Sequence, residues 1–99
     1  MKGTGTRVNF EWDEEKAQAN RTKHRVAFEE AATVFSDPFS ITTSDPDHSA
    51  DELRYVDIGR SAKGRVLVVS YTERGTRIRI ISGRKATPKE RDRYEEGND

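Results

Sequence analysis

The stretch from Arg77 to Ala86, Arg-Ile-Arg-Ile-Ile-Ser-Gly-Arg-Lys-Ala, constrains the fold of this chain more than any other. Ile78 and Ile80 fall on one side of a period-two alternation and Arg77 and Arg79 on the other, which predicts a half-buried strand in an antiparallel sheet. Arg84 continues the phase of Ile78, Ile80 and Ser82, and Lys85 follows it directly. A chain with as many acids as bases, eighteen of each, has therefore gathered cations on one strand and its exit. An anionic partner is the expectation.

The zero net charge conceals a bipolar molecule. Up to residue 59 there are seven cations and twelve acids; from Arg60 onward there are eleven and six. Only 31% of residues are hydrophobic and 36% are charged, so patterning rather than composition must specify the core. Ninety-nine residues predict one domain spanning 1–99, with residues 1–6 flexible. The absence of cysteine and the presence of two histidines disfavour a disulfide framework or a protein-only metal cage, and no motif calls for a cofactor. No apolar run of signal or membrane-spanning length is visible, which predicts a soluble cytoplasmic protein with no membrane association.

In chain order, Val8 to Trp12 predicts a short strand with Val8, Phe10 and Trp12 on one face. Asp13 caps a helix with Glu14 and Glu15 in its first turn and Arg21, Lys23, His24 and Arg25 in its last, matching the macrodipole at both ends. Its apolar face is weak. Phe28, Ala31, Ala32 and Phe35 form a helical stripe that Asp37-Pro38 ends. Phe39 to Thr42 offers a short strand, and Ser44 to Asp51, which contains His48, a polar loop. Three strands follow as a meander, at Leu53–Gly59, Arg65–Thr72 and Arg77–Ser82. Thr87-Pro88-Lys89-Glu90 is a capping box that opens a last helix to about Glu96. The predicted class is α+β, with two N-terminal helices, a three-strand C-terminal meander in a mainly antiparallel sheet, and one C-terminal helix. The helices are expected to cover one face of the sheet.

The meander carries the first functional inference. Its first and third strands run the same way, so Arg60 and Arg84 leave the sheet at one end and toward one face. Their predicted separation is roughly 10 Å, twice the strand spacing. Arg65 enters between them. Arginine stays charged and forks onto phosphate oxygens, so Arg60, Arg65, Arg84 and Lys85 suit an RNA phosphate. Arg77 and Arg79 taken alone read as solvated charges; beside the other cations they are candidate RNA-docking charges. Lys23 and His24 can relay protons or simply complement a helix dipole. Glu90 reads as the capping-box acceptor, Trp12 and Tyr94 as core or interface, and Tyr71 as a base-stacking residue if it is exposed. The helices offer no basic recognition face for DNA.

Several blocks taken together resemble the BrnT family of bacterial type II toxins. They are Phe10-Glu11-Trp12-Asp13, Asn20 with Lys23-His24, Phe28-Glu29-Glu30-Ala31 with Val34-Phe35 and Asp37-Pro38, Asp45-Pro46-Asp47-His48, Ile58-Gly59-Arg60, and Ile80 through Ala86 leading to Glu90-Arg91 and Tyr94-Glu95. The resemblance implies a RelE-like fold and a ribonuclease that halts translation; with no metal-ligand spacing in the sequence, the expected reaction is metal-independent. It also implies a BrnA-like antitoxin, assembly up to a heterotetramer, operator DNA bound only through that complex, and repression of the operon by it. Carried over by residue, it makes Arg60 and Arg84 the leading catalytic candidates. Lys23 and His24 rank second, and Lys85 is a further candidate for moving protons. The rival reading is an inactive module that binds antitoxin or RNA without cleavage. Two departures stand out. Arg25 occupies a position where the family usually has glycine, which is costly if the backbone there takes positive φ. Gly83 replaces the usual alanine and is expected to loosen the strand exit.

Overall fold

In the computed structural model, which describes residues 9–45 and 52–97, Asp13 caps the first helix. Its carboxylate accepts from the backbone N–H groups of Glu15 at 2.8 Å and Lys16 at 3.2 Å. The elements run β1 (Asn9–Glu11), α1 (Glu14–His24), α2 (Phe28–Thr33) with a 3-10 turn at Val34–Ser36, β2 (Ile41–Ser44), β3 (Arg54–Arg60), β4 (Val66–Arg74), β5 (Arg77–Lys85) and α3 (Pro88–Glu96). The predicted flexible start and the segment holding His48 lie outside the described residues. The strands form one sheet in the order β1-β5-β4-β3-β2, antiparallel except where β1 pairs with β5. The predicted meander is its centre, and α3 carries the full capping box at Thr87 and Glu90.

Helices cover both faces of this sheet, not one. Phe28, Ala31 and Val34, all fully buried, pack with Ala17, Val26, Leu67, Val69 and Ile80 under α1 and α2. On the other face Tyr94 of α3 packs with Ile58, Val66, Val68 and Ala86. The cause is legible in β4. Val66-Leu67-Val68-Val69 is a continuous apolar run, the signature of a central strand buried on both sides, and each of its faces needs a cover.

Strand β5 departs from simple alternation. Ser82 pairs with Ser70 but Ile80 pairs with Tyr71, so Ile81 is an extra residue in a β-bulge. The bulge reverses the phase. Ile78 and Ile80 face α1 and α2, whereas Ser82 and Arg84 lie on the α3 side of the sheet, the side that also carries Arg77 and Arg79, contrary to the prediction that Arg84 shares the face of Ile80. Arg84 and Arg60 do share a face, because they sit opposite Val68 and Val66, two residues apart on β4. Arg84 and Lys85 also belong to the strand itself and do not follow its end.

Helix α1 buries little beyond Ala17 and Asn20. Asn20 replaces a greasy seam with a clamp: its amide donates to the carbonyls of Val26 (2.9 Å) and Gly83 (2.8 Å) and accepts from the Gly83 N–H (3.2 Å). Gly83 is therefore pinned, where looseness was expected, and a Cβ there would lie 3.2 Å from that of Ala31. After α1 the chain turns at Arg25, whose φ of 58° puts a non-glycine residue in the left-handed region. That conformation costs an arginine about 1–2 kcal/mol, and glycine returns part of the gain as chain entropy. Arg25→Gly should raise stability by about 0.5–1 kcal/mol, read as a rise of a few degrees in Tm.

Candidate active site

The β3–β4 turn is held from below by a buried carboxylate. Glu30 of α2 receives the Arg65 Nε at 2.9 Å, a second and shorter bond from Arg65 Nη2, and the Ser61 hydroxyl at 2.7 Å. The Arg65 hydrogen bonds keep the Glu30 carboxyl below its ordinary range against the opposing effect of burial. Arg65 Nη2 also donates to the Arg25 carbonyl at 3.1 Å, tying the turn to the end of α1. The Ser61 oxygen accepts from Lys63 N–H at 3.2 Å, and Gly64 makes the bend with φ 85°.

Arg60 sits above this turn. Its backbone N–H donates to Asp37 Oδ2 at 2.8 Å, its Nη1 donates to the Gly64 carbonyl at 3.0 Å, and its guanidinium carbon lies 5.8 Å from the centre of the Tyr94 ring. Asp37 also receives the Tyr94 hydroxyl at 2.6 Å and the Phe39 N–H at 2.9 Å. Burial pushes the Asp37 carboxyl up, but these bonds together outweigh it and hold it below its usual value. Asp37 thus locks the end of the 3-10 turn, the last residue of β3 and α3 to one another.

Above the turn opens a cleft of about 310 Å³, lined by Arg60, Gly64, Arg65, Val66, Lys85, Arg91 and Glu95. Three of the predicted phosphate ligands, Arg60, Arg65 and Lys85, meet there. Arg91 joins them. A concave site with four cations and one carboxylate attracts an anion strongly and offers a divalent cation little. Arg65 spends much of its charge on Glu30, whereas no side-chain bond among the described residues engages Lys85 or Arg91.

Arg84, predicted to stand beside Arg60 at the phosphate, does not line the cleft. Two bonds, at 2.8 and 2.9 Å, fork it onto Glu90. The Arg84 bonds, opposed by burial and aided by the cap contact with the Thr87 N–H, pull the Glu90 carboxyl down to about 2. At about 100° per residue along α3, Arg91 and Glu95 fall to one side of buried Tyr94, and Glu90 and Arg93 to the other. The bulge and the two-residue stagger on β4 thus deliver Arg84 to the far flank of α3, where it ties the helix to β5.

The remaining candidates also fall elsewhere. Lys23 and His24 occupy the last turn of α1, near the carbonyl that anchors Arg65, and neither lines the cleft. Arg77 and Arg79 both bond Glu11 of β1, at 3.4 and 3.0 Å. Tyr71 is only 5% exposed, its ring edge-on to Phe35 and stacked with Tyr55, its hydroxyl 3.2 Å from Asp57. The condition for base stacking, exposure, is therefore not met. Arg91 and Glu95 carried a readable signal in their i, i+4 spacing beside Tyr94. Glu30 carried none, because its partner Arg65 is 35 residues away.

The family model for the ribonuclease toxin BrnT of type II toxin-antitoxin systems matches residues 12–90. The chain belongs to the BrnT family. Among solved structures it resembles the 1.1 Å crystal structure of the Brucella abortus ribonuclease toxin BrnT, with 27% identity, a TM-score of 0.59, and coverage of 83% of this chain and 99% of that one. No curated protein sequence matches it significantly. The BrnT match spans the elements that build the turn, Glu30, Arg60, Arg65 and Lys85 included, and stops as α3 begins. No helix among the described residues is long and apolar enough to cross a membrane.

Proposed function

We propose that this BrnT-family chain is a RelE-like endoribonuclease toxin that cleaves RNA without a metal and thereby inhibits translation in the bacterial cytoplasm. The single observation that carries the reading is the cleft at the sheet end, where Arg60, Arg65, Lys85 and Arg91 converge. In the proposed reaction the RNA 2'-hydroxyl attacks its own phosphate, and Arg60 stabilises the charge that builds on the phosphoryl oxygens. The Lys85 ammonium protonates the leaving 5'-oxygen. The products are a 2',3'-cyclic phosphate and a 5'-hydroxyl. A cationic lining favours this route over one that recruits a divalent cation.

Membership in a type II toxin family supports a protein antitoxin. We assign that role to a BrnA-like DNA-binding protein that joins the toxin in a complex up to a heterotetramer and represses their shared operon. The opposing reading is an inactive interaction module. It is favoured by the number of basic side chains already tied to acids: Arg65 to Glu30, Arg77 and Arg79 to Glu11, Arg84 to Glu90. Purified chain should fragment RNA, alone or with ribosomes, leaving cyclic-phosphate ends with chelator present, and its induction should arrest bacterial growth. Intact RNA in both settings would establish the module instead.

A further inference from the structure

The cleft contains one carboxylate, and the reaction proposed above needs a group to take the 2'-hydroxyl proton. We infer that Glu95 is that group, a catalytic base delivered by α3 to the phosphate held by Arg60, Lys85 and Arg91. The inference rests on the ribonuclease reading and adds the residue which that reading leaves unassigned.

The other carboxylates near the sheet end are committed to structure. Glu30 has both oxygens bonded to Arg65 or Ser61, and its side chain is 3% exposed. Asp37 accepts three hydrogen bonds and fastens three elements together. Glu90 is forked by Arg84, caps α3 through the Thr87 N–H at 2.9 Å, and sits on the far flank of the helix. Glu95 is exposed and lines the cleft, and its carboxylate makes no hydrogen bond or ion pair among the described residues. Its oxygens are free to accept a proton.

Its position is fixed although its head is free. Helix α3 is pinned at its start by the capping box, along one flank by the Arg84–Glu90 fork, and near its end by the Tyr94 hydroxyl on Asp37. Glu95 follows Tyr94 directly, and Arg60 lies over the Tyr94 ring, so the carboxylate and the guanidinium are presented to one cleft by one anchor. The charged groups facing Glu95 are Arg60 from β3, Arg65 at the entry to β4, Lys85 from β5 and Arg91 one turn back on α3. They bind the phosphate; the carboxylate faces its sugar. In the step, the O2'–H proton moves to Glu95, O2' bonds to phosphorus, and the P–O5' bond breaks. The O5' takes a proton from Lys85, so the charges balance and no co-reactant is consumed.

The test is Glu95→Gln in the full chain, checked for unchanged thermal unfolding. Single-turnover cleavage is measured across pH on a substrate that the wild type cuts, and binding is measured with an all-2'-deoxy oligonucleotide of the same sequence. The expected result is binding within about threefold of wild type, cleavage slower by about 10²–10³-fold, and loss of the acid limb of the pH–rate profile. Cleavage near the wild-type rate overturns the assignment. So does a slower rate that keeps the same acid limb, or a loss accounted for by weaker binding. A wild type that cuts no RNA refutes the ribonuclease reading itself, and the role of Glu95 with it.

Discussion

Arg60→Ala should lower RNA cleavage by about 10²–10³-fold, the usual cost of removing one donor aimed at developing transition-state charge. The protein should remain folded. The contact that secures the end of β3 runs from the Arg60 backbone N–H to Asp37, and alanine keeps it; the side chain contributes a bond to the Gly64 carbonyl and a contact with the Tyr94 ring. An exposed side chain with those contacts is worth about 1 kcal/mol of stability. Arg60→Lys should restore only part of the rate, because an ammonium keeps the charge and loses the fork. Arg84→Ala provides the contrast. It should cost less activity, since Arg84 serves Glu90 and not the cleft, and its effect should come through a loosened α3. Cleavage rates of the three purified variants, set beside their melting curves, check this; an Arg84→Ala loss larger than that of Arg60→Ala would reverse the assignment.

Glu30→Ala should be the most damaging single truncation around the site, costing about 2–3 kcal/mol. It leaves the Arg65 guanidinium and the Ser61 hydroxyl without their shared acceptor in a place where water reaches only part of the gap, since the Arg65 side chain is 30% exposed. That exposure keeps the loss below the full cost of stranding a buried charge. For a domain of this size the loss corresponds to a drop in Tm of about 10–20 °C. Glu30→Gln keeps an acceptor for Ser61 and the volume, so about half the loss is expected. Denaturant unfolding of both variants measures the difference. Cleavage should fall in both, because Arg65 is one wall of the cleft and would lose its direction.

The local chemistry of the chain is legible in its sequence. Asp13 caps α1, Thr87 and Glu90 form the reciprocal cap of α3, and the stripe from Phe28 to Phe35 lies inward, because each depends on residues within one or two turns. The gathering of Arg60, Arg65 and Lys85 at one end of the sheet was also derivable, since a meander has few ways to run. Family membership was legible in short ordered blocks, and the match over residues 12–90 bears it out.

Arg84 shows where that legibility stops. A single extra residue at Ile81 reverses the phase of half a strand, and neither its neighbours' types nor their spacing announces a bulge. Glu30 and Asn20 read as ordinary helix residues, yet one anchors the turn beneath the cleft and the other clamps α1 to β5, through partners that only the fold brings near. The apolar run Val66–Val69 signals that both faces of β4 need a cover, but that α3 is the element covering the second face was decided by the fold. By itself, then, the sequence determined the elements, their caps and the basic end of the meander, all set by interactions a few residues long. The tertiary structure alone decided which charges face the cleft and which are spent holding it together, because a charge is neutralised by whatever the packing places within a few ångströms of it.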